Sequence, residues 1–385
     1  MNPGTEIQLI AVVTGAACAI PGVFLVLRKM ALISDAISHS ILPGIVIGFF
    51  ITHDLASPWL IIFAAFSGII TVILVELIQK TGLVKEDTAI GLVFPVLFSI
   101  GVILIAQNAN DVHLDVDAVL LGDLAFAPFD RWIYNGVDLG PRGLYVILTI
   151  LIITISLLLL FYKELKVSTF DLGLSSAMGF SPVILHYGLM SVASVTTVAA
   201  FDAVGAILVV ALMIAPAAAA YLLTTDLKKM IVLSVLFGVA SAIGGYWFAR
   251  AIDASISGSI TTVLGVIFLA VYLFAPSKGL IAVLIRQNRQ QIEVSLLTFL
   301  LHLNNHDSLH ERRVAHLQEH INWRKVKAKS VLNLALKNNM ISIDDEVVSL
   351  TRKGLNFTEK ALDYIITNKD EKIEDIKDDF FLFRG

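Results

Sequence analysis

The sequence predicts an all-α polytopic membrane protein of about nine transmembrane helices, followed by a small α+β domain. Three observations carry this. The 385 residues are 57% hydrophobic and only 16% charged, with a mean hydropathy of +0.82, whereas soluble chains average about 45–50% apolar and about 25% charged residues. Apolar runs of about 20 residues, enough to cross ~30 Å of hydrocarbon, recur as far as Ala275. Near Arg286 they give way to a charged, helix-periodic sequence, which divides the chain into a membrane part, 1–285, and a second domain, 286–385.

The expected spans, in order, are Glu6–Leu27, Leu32–Ile51, Trp59–Ile78, Thr88–Ala106, Leu144–Phe161, Val183–Ala200, Ala203–Leu223, Met230–Ala249 and Ile256–Ala275. The first is not expected to be a signal peptide, because it lacks a basic leading region and carries Glu6 at its front and Arg28 and Lys29 behind it. The lone cysteine, Cys18, lies inside that span and excludes a disulfide framework and a cysteine-rich metal site. Basic residues set the orientation. Arg28 and Lys29, Lys80 and Lys85, Lys163 and Lys166, Lys228 and Lys229, and Lys278 and Arg286 follow the odd-numbered spans, and only Arg131, Arg142 and Arg250 lie in the alternate loops. The N-terminus is therefore expected outside and the tail in the cytoplasm.

In the tail, Ile292–Asn304, Leu309–Ile321 and Trp323–Asn338 have helical periodicity. Met340–Ile343 and Val347–Leu350 then alternate as strands about the acidic turn Asp344-Asp345-Glu346, and a glycine leads into a helix at Asn356–Asn368. Three helices followed by a two-stranded wing is the order of a winged helix, and Leu350-Thr351-Arg352-Lys353-Gly354 resembles its wing end. The basic start of the third helix (Arg324, Lys325, Lys327, Lys329) favours DNA, but the domain's acids roughly cancel its bases, so a regulatory or scaffolding role is preferred. His302, His306 and His310 follow at spacing four, as do His316 and His320. Such pairs either chelate a regulatory metal, with Glu311 and Glu319 near, or are tolerated surface histidines.

Asp35 and His39 are the most telling residues of the membrane part. An ionisable side chain at membrane depth costs about 2.5–3.5 kcal/mol on insertion scales and marks a functional site unless it serves packing. At i and i+4 the two share one helix face. A carboxylate oxygen with an imidazole nitrogen is half of a site for manganese, iron or zinc, and Pro43-Gly44 just beyond allows the backbone to open. The alternative is a polar pair bonding a neighbouring helix. Asp202, between the sixth and seventh expected spans, reads as an entry ligand or a helix N-cap. Glu76 and His186 fall near span ends, where reaching the interface costs little. The loop Gln107–Arg142 holds Asp111, His113, Asp115, Asp117 and Asp123, an acidic stretch able to attract cations or a binding protein.

Several stretches occur in a telling order: Phe24–Leu32 running into Asp35–Gly44, Asp87–Gly91, Leu121-Gly122-Asp123, Lys163–Lys166, Phe170-Asp171, Ala177–Pro182, and Val204–Ala218. Together they cover most of Glu6 to Pro276, and the set resembles the permease subunit of ABC-type manganese, iron and zinc importers of the bacterial plasma (inner) membrane. The resemblance implies that Asp35 and His39 ligate the transported ion, and that the loop Glu164–Pro182 docks on a separate ATPase. Phe170, Asp171 and Gly179 are the expected contact residues there. It further implies an external metal-binding protein and a second permease chain as partners. The tail resembles the iron-dependent-repressor type of domain sometimes joined to these permeases.

Phe170, Leu172 and Leu174 give the loop an apolar surface, and Gly173 and Gly179 are expected to bound a short helix in it. The chain has no G-x-x-x-x-G-K-[ST] phosphate loop, so it is expected to be no enzyme itself. No cofactor is expected, and the resemblance implies a divalent metal (manganese, iron or zinc) as the transported substrate. Two other classes compete: a proton-coupled secondary metal transporter, favoured by an internal repeat that is not evident here, and a membrane-anchored metal-responsive regulator, favoured by a strong basic face.

Overall fold

Hydrocarbon offers no water to backbone N–H and C=O groups, so apolar runs of this length close their hydrogen bonds as helices. The computed structural model describes residues 2–53, 57, 59–108, 124–134, 137–305 and 325–367. By Cα proximity the chain divides into two units, Met1–Gly279 and Leu280–Gly385.

The first unit contains α1 (Pro3–Leu27), α2 (Leu32–Ser40), α3 (Leu42–Thr52), α4 (Trp59–Lys80) and α5 (Glu86–Asn108), then a hairpin of β1 (Arg131–Tyr134) and β2 (Val137–Pro141). After it come α6 (Arg142–Leu160), α7 (Tyr162–Phe170), α8 (Leu172–Ala177), α9 (Pro182–Val204), α10 (Ala206–Leu223), α11 (Leu227–Ile252) and α12 (Ile256–Phe274). Among the described residues nine helical spans are long and apolar enough to cross a membrane: α1, the α2–α3 pair, α4, α5, α6, α9, α10, α11 and α12. The hairpin is an addition to the all-helical expectation, and it ties Tyr145 of α6 through its hydroxyl to the Leu139 carbonyl at 2.7 Å.

Burial ranks the spans. In its most apolar stretch α1 is 72% buried and α6 only 11%, so α1 is a central post and α6 lies at the rim. Helix α1 packs against α6, α9, α10 and α11, while α2, α3, α4 and α5 form a second group joined to the first through α9 and α10.

Two short connections depend on specific turns. At the end of α1, Lys29 adopts a left-handed φ of 63°, and the N–H groups of Lys29 and Met30 return to the carbonyls of Val26 and Leu25 at 3.1 and 2.9 Å. That closes the helix in the Schellman pattern and starts α2 three residues later. Between the sixth and seventh spans the chain breaks at Gly205, not at Phe201-Asp202 as expected. Asp202 sits inside the last turn of α9, so it is not an N-cap; that position before α10 belongs to Gly205.

The second span is interrupted at Ile41, which ends α2 and precedes α3. Pro43 has no N–H, so it removes the i+4 partner of the His39 carbonyl. Gly44 then lets α3 lie directly on α4: a Cβ there would come within 2.3 Å of the Phe63 carbonyl oxygen and 2.8 Å of Ala64 Cα.

The second unit, described by itself, contains α13 (Leu280–Asn305), α14 (Lys325–Lys337), β3 (Ile341–Asp344), β4 (Val347–Leu350) and α15 (Arg352–Thr367). The strands pair antiparallel with Asp344 opposite Val347, and Asp345 and Glu346 both take positive φ, as a tight two-residue hairpin turn requires. Leu296, Phe299 and Leu300 of α13 pack with Val331 and Ala335 of α14, Val348 of β4 and Phe357 of α15. The helix expected at Leu309–Ile321 lies outside the described residues, and the last helix starts at Arg352 rather than Asn356, because Thr351 caps it by accepting from the Gly354 N–H at 3.1 Å.

Replacing Gly44 by Val forces α3 off α4 and is expected to lower stability by about 1–3 kcal/mol, the usual cost of overpacking. A thermal melt of the detergent-purified variant measures this; an unchanged midpoint would show that the two backbones do not touch there.

Candidate functional site

Asp35 and His39 lie on α2, a nine-residue helix whose other side chains, apart from Leu32, are buried. Helical spacing brings the two together as expected: His39 Nε2 is 3.5 Å from Asp35 Oδ1, with 33% and 42% of the two side chains exposed. Two ligands about 2.0–2.2 Å from a tetrahedral zinc stand about 3.4 Å apart, so the pair already has the spacing that chelation needs. The His39 ring lies 5.6 Å from that of Phe94 on α5, which limits its movement. Among the described residues no three His, Cys, Asp or Glu side chains cluster as a metal site. Among the described residues one chain therefore offers this pair alone.

Helix α2 is held by its serines. Ser67 on α4 donates to the Ser40 carbonyl at 2.6 Å, Thr71 donates to Ser40 Oγ at 2.6 Å, and Ser38 Oγ returns to the Ser34 carbonyl at 2.9 Å. Ser40 directly follows His39, so α4 pins the point at which the span breaks. Helices α5, α9 and α10 pack on the remaining sides of α2.

The connector between the fifth and sixth spans forms α7 and α8. Phe170 ends α7 and is 60% exposed; Leu172 on α8 is 61% exposed. Asp171 caps α8 by accepting from the Leu174 N–H at 2.9 Å. Gly179 (φ 84°) closes α8: its N–H and that of Phe180 reach the carbonyls of Ser176 and Ser175 at 3.0 and 3.1 Å. The boundary expected at Gly173 thus belongs to Asp171, because a carboxylate satisfies the free N–H groups of a first turn and glycine does not.

The sequence passed over a polar cluster at the same end of the bundle. Arg28 donates from Nη2 to Ser168 Oγ at 3.0 Å, from Nε to Thr169 Oγ1 at 3.3 Å, and from Nη1 to His186 Nδ1 at 3.2 Å. The other ring nitrogen of His186 bonds Glu76 on α4, which also accepts from the Tyr187 hydroxyl at 2.8 Å and lies 3.5 Å from Lys80 Nζ. Glu76 and His186 do not simply reach for an interface; they meet each other, 110 positions apart in sequence. Their shared position at span ends was the one signal available.

At the opposite end, buried Glu6 accepts from Arg131 Nη1 at 3.2 Å, and Arg131 Nε bonds Asp138 at 2.5 Å. That bond holds the Asp138 carboxyl below the usual aspartate range. The acidic stretch Asp111 to Asp123 lies outside the described residues, as do His306, His310, His316 and His320; His302 lies near the end of α13.

A model of the ABC 3 transport family matches residues 5–275. The chain belongs to that family. It is 45% identical over 362 residues to the zinc transport system membrane protein TroD of Treponema pallidum (strain Nichols), covering 93% of this chain and 98% of TroD. It is 43% identical over 282 residues to the manganese transport system membrane protein MntD of Bacillus subtilis (strain 168), covering 73% and 95%. Among solved structures, PsaBC from Streptococcus pneumoniae in complex with Fab superposes with a TM-score of 0.61 at 29% identity, over 72% of this chain and 94% of that one. The alignment with TroD is longer than the first unit and so runs on into the second. The family is one of multi-pass membrane permeases rather than enzymes.

Replacing Thr71 by Val removes a buried donor and leaves Ser40 without it, which is expected to cost about 1–3 kcal/mol. A lowered thermal midpoint of the purified protein registers this; a wild-type midpoint would show that α4 does not pin the end of α2.

Proposed function

We propose that this chain is the membrane-spanning subunit of an ABC importer for a divalent transition metal, with Asp35 and His39 as its ligands in the path. One observation carries the reading: in a member of the ABC 3 transport family, an aspartate and a histidine side chain stand 3.5 Å apart where a span breaks. Family membership favours an ATP-driven pump over a proton-coupled carrier. The manganese and zinc transport named for the relatives supports a transition metal, and an Asp–His pair is compatible with manganese, iron or zinc alike.

A metal held by only two protein atoms falls short of the four a closed zinc site uses. A second permease chain supplying the same pair completes such a set on a two-fold axis. The capped helix α8, with exposed Phe170 and Leu172 before it and at its start, is the docking element for a separate ATPase, which the exposed apolar surface supports. The distribution of Lys and Arg supports a cytoplasmic location for this end and an outside N-terminus, where an external metal-binding protein would deliver the ion.

The single replacements Asp35→Ala and His39→Ala are each expected to abolish uptake of Mn²⁺ or Zn²⁺ in proteoliposomes while the protein still inserts and assembles, since Ala is well tolerated in a helix. Wild-type uptake by the double variant would remove both residues from the path.

The second unit acts as a regulatory domain of winged-helix type, supported by the order helix, hairpin, helix from α14 to α15. His302, His306, His310, His316 and His320 are its metal-sensing candidates. Truncation after Gly279 is expected to leave uptake intact and to change its response to internal metal, measured by uptake into vesicles preloaded with Mn²⁺ or Zn²⁺. Abolished uptake would give the tail a part in transport itself.

A further inference from the structure

We infer that Arg28 and His186 are positioning residues that transmit movement of the α7–α8 connector to α2 and its Asp35–His39 pair. This rests on the reading of the chain as a permease driven through that connector.

The geometry begins with one guanidinium that bonds two elements at once. Three of the Arg28 nitrogens are used, two on Ser168 and Thr169 at the end of α7 and one on His186 of α9. Thr169 lies two residues before Asp171, the cap of α8. Any displacement of α8 therefore pulls on Arg28. A lysine has one nitrogen and cannot span this set, whereas the planar fork can.

The stiffness of the next link follows from the backbone. Arg28 occupies the C-cap of α1, and the turn after it is closed by the two returning hydrogen bonds of Lys29 and Met30. Helix α2 begins at Leu32, bridged to that turn by Ile33 N–H to the Met30 carbonyl at 3.2 Å and Ser34 N–H to the Ala31 carbonyl at 3.3 Å. The backbone from Arg28 to Asp35, seven residues on, is thus tied by successive hydrogen bonds.

A second branch runs through His186. Arginine only donates, so His186 Nδ1 accepts, and the proton on Nε2 is left to donate to Glu76 on α4. On α4, five residues before Glu76, Thr71 bonds Ser40 at the break after His39. Both branches converge on α2, one at each end. Neutralising Glu76 does not explain the arrangement, because Lys80 is within 3.5 Å of it already.

The test uses the full chain with its ATPase subunit in proteoliposomes, reading Mn²⁺ and Zn²⁺ uptake against ATP hydrolysed. Arg28→Ala and His186→Leu are expected to keep hydrolysing ATP with the ATPase bound, while uptake per ATP falls about tenfold, within the usual span of coupling between distant sites. His186→Gln retains one acceptor and one donor and is expected to restore most of the uptake. Arg28→Lys, milder in size and charge, is expected to resemble Arg28→Ala.

Uptake per ATP within twofold of wild type in Arg28→Ala overturns the inference. So does loss of the ATPase from the complex, or failure of every variant including Arg28→Lys to fold, since either would make the cluster structural. If the wild-type complex hydrolyses ATP but carries neither ion, the permease reading fails and takes this inference with it; wild-type transport with unaffected variants sinks the inference alone.

Discussion

The dryness of the hydrocarbon layer is the constraint on which the rest of this structure depends. Every backbone donor and acceptor at that depth has to find a partner in the protein. A span can be broken only where other chain elements surround the break. The second span breaks at Ile41, and what surrounds it is α4, whose Ser67 and Thr71 hydroxyls take up the Ser40 carbonyl and hydroxyl. The break thus sits deep among α4, α5, α9 and α10 rather than on the rim. Beside the break, Pro43 leaves the His39 carbonyl without its helical donor, close to the Asp35 and His39 side chains.

The rim helices show the complementary behaviour. Helix α6 is apolar on all sides and buries little of itself, as a helix does when its outer surface meets lipid. Polar side chains concentrate instead at the two ends of the bundle and on the inner faces. At one end Glu6, Arg131 and Asp138 clasp the hairpin to α1; at the other Arg28, His186, Glu76 and Tyr187 join α1, α4 and α9. Charged groups are placed where they are mutually bonded, so few carry the cost of an unpaired ion in a poorly hydrated setting.

Much of this architecture is legible in the residues. The spans are set by length and hydropathy, and the Asp35–His39 pairing follows from spacing on a helix. The capping of α8 shows where the residues mislead: Gly173 looks like a boundary, yet Asp171 does the capping because its carboxylate bonds the Leu174 N–H. Asp202 misleads similarly, since an aspartate before a new span resembles an N-cap, whereas the chain turns at Gly205. Both cases involve a local choice between two nearby residues of suitable type.

The sequence by itself determined the class of protein, the number of spans and the Asp35–His39 pair, because hydropathy and helical spacing are local properties. Only the tertiary structure decided that Arg28, His186 and Glu76 form one network and that Ser40 is pinned by Ser67 and Thr71. These contacts join residues 27 to 158 positions apart. Such pairings depend on which helices become neighbours. Nearly uniform apolar faces leave that choice to packing and to the close approach of backbones at positions such as Gly44.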